Sequence, residues 1–155
     1  MTDHISESEN ITRALRRIAI LYQHFAETLQ KELGKDTAKE LILKAIYAYG
    51  GQIGREAREK ALARGLALTP ENYPDDLPTI GWTKTVEEAD GETVAVVSVC
   101  PLASEWQDMD PELAALYCFV DQAKMQAYNP EFTYIHLGNI LDGDPCCRLV
   151  VRKKT

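Results

Sequence analysis

The sequence predicts an α+β fold: two N-terminal helices, then an antiparallel sheet of about four strands with a further helix between its two hairpins. Three observations lead to this prediction. Up to about residue 65, apolar residues recur at three- and four-residue steps, which indicates buried helix faces. After residue 78 the apolar pattern becomes that of extended strands. Turn segments at 90–91 and 142–145 each join two such strands, and a hairpin makes its strands antiparallel.

The first helix is predicted to begin after Ser6 and to end at Gly34. Ser6 and Glu9 have the spacing of a capping box, and glycine is common just beyond a helix C-terminus. Apolar residues at helical spacing predict that one side of this helix packs on the core. The residues expected on that buried side are Ile11, Leu15, Ile18, Leu21, Tyr22, Phe25 and Leu29.

A second helix is predicted to begin at Asp36 or Thr37, where Thr37 and Glu40 again have capping-box spacing, and to stop at Gly65. Its apolar positions are Leu41, Ile42, Ala45, Tyr49, Ile53 and Ala57. Its interior contains the glycines Gly50, Gly51 and Gly54. Each interior glycine costs about 1 kcal/mol relative to alanine, so a compensating role is expected. Either a neighbouring helix packs closely there, or the helix kinks or exposes backbone to a ligand.

The first two strands are predicted at 79–88 and 92–100, on either side of the favoured hairpin turn Asp90-Gly91. The second of them is apolar almost throughout, so it is expected to be buried on both faces and to lie centrally in the sheet.

A third helix is predicted to begin at Asp110-Pro111, an N-cap followed by proline in the first turn. Its expected buried residues are Leu113, Leu116, Tyr117, Val120 and Ala127. The last two strands are predicted at 132–141 and 146–152.

Length and composition predict a single domain over residues 1–155, with a helical part at 1–65 and a cysteine-bearing part at 79–155. The 24 acidic and 17 basic residues give a net charge of -7, which argues against nucleic acid or an anionic membrane as a partner. No signal peptide is recognised, so we expect a cytoplasmic protein with a small-molecule partner. The sequence is compatible with either a monomer or a homo-oligomer.

The four cysteines all lie in the C-terminal part, and in the cytoplasm they are expected to be thiols, metal ligands or catalytic groups. Cys100 ends a predicted strand, and Cys118 and Asp121 project from one face of the third helix. His136 lies within a strand, and Cys147 opens the last strand. If these elements converge, thiols, a carboxylate and an imidazole share one cavity.

Two kinds of chemistry suit such a cluster. A thiolate is a strong nucleophile, and a neighbouring imidazole can help a cysteine to ionise. The same side chains could instead bind zinc or another divalent metal, with Cys100, Cys118, Cys147 and His136 as the candidate ligands. No pair of cysteines has the C-x-x-C spacing that signals a zinc site. A third interpretation is that the cysteines are small buried apolar residues and that the histidine is structural.

The cysteine-bearing part resembles the L-2-amino-thiazoline-4-carboxylic acid hydrolase family. The matching motifs, in order, are Cys100-Pro101, Cys118 with Asp121, Asn129-Pro130, and Gly143-Asp144 followed by Cys147. The family usually continues with an acidic or polar residue and an aromatic one, whereas Arg148-Leu149 follow here. This departure indicates an altered pocket floor.

The resemblance implies hydrolysis of a cyclic amidine or thiazoline ring. It places Cys100, Cys118, Asp121 and Cys147 on catalytic positions, with His136 moving protons. Either Cys147 or Cys118 would be the nucleophile or a ligand of a water-activating metal, and Asp121 would hold the amidine.

The resemblance also implies substrate binding by Asp144 and Asn129. The C-terminal part is similar as well to vinyl-reductase-like domains that sense small ligands. This second similarity supports an alternative function, a binding module without catalysis.

Overall fold

The computed structural model describes residues 6–74, 78 and 80–155. It confirms the predicted α+β fold, with both hairpins and their antiparallel sheet. The helices are α1 (Glu7–Leu33), α2 (Lys35–Ala63), α3 (Pro111–Leu116) and α4 (Phe119–Tyr128). The strands are β1 (Thr83–Ala89), β2 (Glu92–Val99), β3 (Phe132–Gly138) and β4 (Cys147–Lys153). None of the helices in the described chain combines the length and the apolarity that crossing a membrane requires.

The ends of α1 match the prediction. The Ser6 hydroxyl accepts a hydrogen bond from the Glu9 backbone N–H at 3.2 Å, and the Glu9 carboxylate accepts one from the Ser6 N–H at 2.8 Å. This is the predicted capping box. Gly34, with φ of 81°, ends the helix.

The predicted buried face of α1 is partly wrong. Ile18, Leu21 and Phe25 are 49%, 59% and 63% exposed, whereas Leu15 and the small Ala19 and Ala26 are buried. The alanines allow the rest of the core to approach this helix closely, so the contact is centred on them. The larger apolar side chains therefore lie along the flank of the helix.

The predicted capping box of α2 is wrong. Gly34 alone separates the two helices, and its carbonyl accepts from the Ala38 N–H at 3.0 Å. The helix has therefore already begun at Lys35, before Thr37 could cap it, and no side chain caps its N-terminus. The predicted stop at Gly65 is confirmed, since that residue follows the helix with φ of 68°.

The glycines of α2 allow α4 to pack closely against it, as the first of the two interpretations predicts. A Cβ on Gly50 would lie 2.7 Å from the Val120 carbonyl oxygen, and a Cβ on Gly54 would overlap the Lys124 carbonyl oxygen. Gly51 differs, because a Cβ there would meet only the Arg55 guanidinium, at 3.2 Å. Two of the three glycines thus set the distance between these helices.

The four strands are arranged in the order β1-β2-β4-β3, and every neighbouring pair is antiparallel. The predicted first turn is confirmed, because Asp90 and Gly91 both have positive φ, as a two-residue hairpin turn requires. The predicted start of the first strand, Thr79, lies outside the described residues. β2 is central, as predicted, because it pairs with both β1 and β4.

The prediction that β2 is buried on both faces is wrong. Val94 is its only fully buried residue, and Val99 is 46% exposed. α4 packs on β3, which is one edge strand of the sheet. β1, the opposite edge strand and the neighbour of β2, is exposed along almost its whole length. The helices therefore leave much of β2 uncovered.

The helix predicted between the two hairpins is confirmed, and a tight turn divides it into α3 and α4. Asp110 caps α3 as predicted, accepting from the Glu112 N–H at 3.0 Å. The chain then turns tightly at 117–118 before α4 begins. This turn directs the Tyr117 ring into an aromatic cluster, with its centroid 5.2 Å from Tyr22 and 5.3 Å from Trp106.

The second hairpin also has a longer connection than predicted. β3 ends at Gly138, because Asn139 then caps a single 3-10 turn at Ile140–Asp142. β4 begins at Cys147, one residue later than predicted.

Candidate functional site

A cavity of about 280 Å³ lies between the helices and the C-terminal sheet. All of the predicted catalytic residues line it: Cys100, Cys118, Asp121, His136 and Cys147. They come from segments that are up to 47 positions apart in the sequence, from 100 to 147. The fold therefore brings thiols, a carboxylate and an imidazole to one space.

Most of the remaining cavity wall is apolar. Trp82, Trp106, Leu15 and Leu149 contribute to it. The Trp106 indole N–H is satisfied inside the protein, since it donates to the Ala19 carbonyl at 2.9 Å. An apolar wall weakens solvation of any charge within the cavity and strengthens charge–charge interactions there.

Each candidate side chain is held at the end of an element or within the sheet. Cys100 follows β2 directly, Cys147 is the first residue of β4, and His136 lies in β3, paired with Leu149 of β4. Cys118 immediately precedes α4, and Asp121 lies in its first turn. A carboxylate in the first turn of a helix is stabilised by the helix dipole.

Asn139 joins two of the thiols and was not predicted. Its side-chain oxygen accepts from the Leu141 N–H at 2.9 Å and from the Cys147 thiol at 3.7 Å. The Asn139 side chain also makes a hydrogen bond with Cys118 that favours the Cys118 thiolate. The Asn139 backbone N–H donates to the Asp144 carboxylate at 2.8 Å. An asparagine directly before a turn is a recognised local signal, and this signal could have identified it.

Burial governs the ionisation of both thiols. It raises the pKa of Cys118 to about 12, against a partial opposing effect of the hydrogen bond with Asn139. Burial also raises the pKa of Cys147, and here the Ile140 N–H opposes the shift by donating to its sulfur at 3.4 Å. Both thiols are therefore protonated at neutral pH. Each thiol thus has one hydrogen bond that favours its thiolate, from Asn139 to Cys118 and from the Ile140 N–H to Cys147.

His136 is held in its neutral form. Burial lowers its pKa below the ordinary value of 6.5, although the carboxylates of Asp121 and Asp142 act in the opposite direction. A neutral imidazole can accept a proton, so the site holds a base at neutral pH.

Lys124 is a second residue that sequence reasoning missed. Its ammonium nitrogen lies 3.7 Å from an Asp121 carboxylate oxygen, and its side chain is only 8% exposed. It also lines the cavity. The spacing of three residues between Asp121 and Lys124 on one helix was the available signal, but such pairs are usually solvent-exposed.

The two predicted substrate-binding residues do not line the cavity. The Asn129 amide donates to the Leu68 carbonyl at 2.8 Å and accepts from the Glu131 N–H at 3.0 Å. Asp144 is exposed, and it holds the backbone of Asn139. The structure thus places both residues in contacts that fix loops.

The metal hypothesis needs a grouped donor set. Within residues 6–74, 78 and 80–155, no three His, Cys, Asp or Glu side chains are grouped so that they could hold a metal ion. Cys100, Cys118, Cys147 and His136 share the cavity, but in this arrangement they do not fit a metal ion.

Comparison with known proteins adds one finding. The family model described as L-2-amino-thiazoline-4-carboxylic acid hydrolase matches residues 13–151. The match therefore extends through the helical part as well as the part with the recognised motifs. No curated protein and no solved structure matches the chain.

Proposed function

The chain belongs to the L-2-amino-thiazoline-4-carboxylic acid hydrolase family, and from this premise we propose that it hydrolyses a cyclic amidine of the thiazoline type in the cavity. The observation that carries the proposal is the convergence of Asp121, His136 and Cys147 on one largely apolar space. At about 280 Å³, this space lies just below the range of about 300–1,000 Å³ found for drug-sized ligands, so it suits a small ring.

Asp121 is proposed to bind the ring. A protonated amidine presents two N–H donors and a positive charge, and a carboxylate accepts both as charge-assisted hydrogen bonds. The apolar wall strengthens this attraction by limiting water around the pair.

Cys147 is proposed as the nucleophile, with His136 as the base. The Cys147 sulfur bonds to the amidine carbon while its proton passes to His136. The bond from that carbon to the ring sulfur then breaks, and the departing sulfur takes the proton from His136. This step opens the ring and leaves an isothiourea on Cys147.

Water completes the reaction. It adds to the same carbon and gives a proton to His136, and the Cys147 sulfur leaves and regains that proton. The net change is the addition of one water molecule, and the product is a carbamoyl-cysteine-like compound with a free thiol. Asn139 would hold Cys147 in position by accepting a hydrogen bond from its thiol through the amide oxygen.

The test is incubation of the reduced protein with L-2-amino-thiazoline-4-carboxylate, following substrate and product by mass spectrometry. Cys147→Ser should lower turnover at least about 100-fold, in keeping with the loss of a catalytic nucleophile. Cys146→Ser is the matched control, because Cys146 is adjacent in sequence but does not line the cavity. Absence of turnover in the unchanged protein, or full turnover in Cys147→Ser, would contradict the proposal. Runs with added zinc or manganese measure metal dependence in the same experiment.

A ligand-sensing module without catalysis is the second candidate. It is favoured by the raised pKa values of Cys118 and Cys147, because protonated thiols in an apolar wall can pack against a ligand as small apolar side chains without reacting. In that case the ring should raise the melting temperature without being consumed, and Cys147→Ser should leave this stabilisation nearly unchanged.

The proposed setting is the cytoplasm. All four cysteines are free thiols in the structure, and a reducing compartment keeps cysteines in that state. The proposed partner is a small molecule, rather than nucleic acid or a membrane, in keeping with the net charge of -7.

A further inference from the structure

Cys118 is a thiol in the cavity that the proposed reaction does not use. It lines the same space as Cys147, although the two residues come from different elements of the fold. The side chain of Asn139 contacts both of them. Its oxygen accepts a hydrogen bond from the Cys147 thiol at 3.7 Å, and the same side chain makes a hydrogen bond with Cys118. Because one small amide group reaches both sulfur atoms, the two thiols are close neighbours.

From this juxtaposition we propose that Cys118 and Cys147 form a reversible disulfide when the protein meets a peroxide, so that the pair is a redox modification site. The formation of this bond does not depend on the proposed hydrolase function. If that function holds, the oxidised protein is inactive, because the disulfide blocks the nucleophile. Disulfides in the cytoplasm of most organisms are usually transient and either catalytic or redox-sensing, which suits a bond of this kind.

The local structure permits the two cysteines to meet. A disulfide requires a separation of about 2.05 Å between the sulfur atoms and of about 4.4–6.8 Å between the Cα atoms. Cys118 lies in the tight turn before α4, and Cys147 opens β4 after the loop that begins at Asn139. Connecting segments adjust more readily than the interiors of helices and strands. Cys100 also lines the cavity, but Asn139 links the other two thiols, which favours this pair.

The oxidation balances with two thiols and one hydrogen peroxide. The Cys147 sulfur bonds to one peroxide oxygen, the O–O bond breaks, and the departing hydroxide takes the thiol proton and becomes water. This step leaves a sulfenic acid on Cys147. The Cys118 sulfur then bonds to the Cys147 sulfur, the S–O bond breaks, and the second hydroxide leaves with the Cys118 proton. Two thiols are oxidised to one disulfide, and the peroxide is reduced to two water molecules.

Burial sets the order of the two steps. It raises the pKa of Cys118 to about 12, so Cys147 reacts first and Cys118 is the resolving thiol. The second step joins neighbours within one cavity, and this proximity compensates for the small thiolate fraction of Cys118. His136 lines the same cavity as a neutral base and can carry each thiol proton to the departing hydroxide. Hydrogen peroxide is uncharged, so its entry into a largely apolar cavity avoids the cost of burying a charge.

The test treats the reduced, unchanged protein with hydrogen peroxide and then blocks the remaining thiols with N-ethylmaleimide after denaturation. Peptides are mapped by mass spectrometry without reduction. The expected product is a peptide pair joined through Cys118 and Cys147, in a protein lighter by two hydrogen atoms, and dithiothreitol should reverse both changes. Because the readout is mass, it is obtained whether or not the protein hydrolyses any ring. Failure of the disulfide and failure of the hydrolase proposal are therefore distinguishable.

Two variants sharpen the result. Cys118→Ser should not form the bond, and its Cys147 should proceed to the sulfinic acid, which dithiothreitol does not reverse. Cys146→Ser is the matched control, because Cys146 adjoins Cys147 but does not line the cavity, and it should form the disulfide as readily as the unchanged protein. If Cys118→Ser does not fold, Cys118→Ala carries the same comparison. Oxidation of the unchanged protein to a sulfinic acid without a disulfide would overturn the inference, and so would linkage of Cys147 to Cys100 or Cys146.

Discussion

The contact between α2 and α4 is tight enough to make one added methyl group measurable. In Gly54→Ala the new Cβ would overlap the Lys124 carbonyl oxygen and lie 2.8 Å from the Ala127 Cβ. Backbone cannot move aside as a flexible side chain can, so α4 must shift. Overpacking of this kind costs typically about 1–3 kcal/mol, occasionally more, while alanine gains about 1 kcal/mol over glycine in helix propensity. Because the new Cβ would meet backbone, the cost should lie at the upper end of that range, and we expect a net loss of about 2 kcal/mol in the free energy of unfolding.

Gly51→Ala is the control on the same helix. Its new Cβ would meet only the Arg55 guanidinium, at 3.2 Å, and a long side chain can move away. Alanine should therefore stabilise the protein at this position by up to about 1 kcal/mol. Urea denaturation measures both changes. In thermal melts the Gly54 variant should fall by about 4–8 °C. Equal stability of the two variants would refute the reasoning that Gly54 sets the helix distance.

Four further predictions test other parts of the structure. Trp106→Phe should lower the free energy of unfolding by about 1–3 kcal/mol in urea denaturation, because the buried ring becomes smaller and the indole N–H no longer donates to the Ala19 carbonyl; an unchanged value would contradict this. Iodoacetamide should modify Cys147 at lower pH than Cys118, whose pKa burial raises to about 12, as peptide mass spectrometry would show. The raised pKa of Cys118 also makes stability depend on pH, because its ordinary pKa is 9.0 and the unfolded chain ionises this thiol first. Its contribution to the free energy of unfolding is therefore complete below pH 9 and is lost as the pH rises towards 12. Asp144→Ala should speed hydrogen exchange at the Asn139 backbone amide, which donates a hydrogen bond to the Asp144 carboxylate, with exchange elsewhere unchanged.

Local chemistry explains which parts of the fold the sequence could predict. The capping box of Ser6 and Glu9, the turn at Asp90-Gly91 and the cap at Asp110 each depend on residues within four positions of one another. Contacts of this kind can be predicted from a short stretch of sequence, because both partners lie within it. The same local rule failed at Thr37, because a single connecting glycine had already started the helix.

Other features depend on distant segments and could not be predicted in this way. The break between α3 and α4 places Tyr117 beside Tyr22, a residue 95 positions earlier in the chain, from 22 to 117. Lys124 lies where α2 approaches α4 at the glycines, and its side chain is only 8% exposed, neither of which helical periodicity can show. Motif positions identified the residues that line the cavity, but for Asn129 they did not distinguish the cavity from a loop contact.

The strand order has a consequence for how the site is assembled. β4 comes last among the described strands, yet it lies inside the sheet, between β2 and β3. Until β4 is synthesised and inserts, β2 and β3 each have an unpaired edge, and such edges are prone to aggregation. The same strand brings in Cys147. Insertion of this one segment would therefore close the sheet and supply the proposed nucleophile together, so a chain that is still folding could not carry out the proposed reaction.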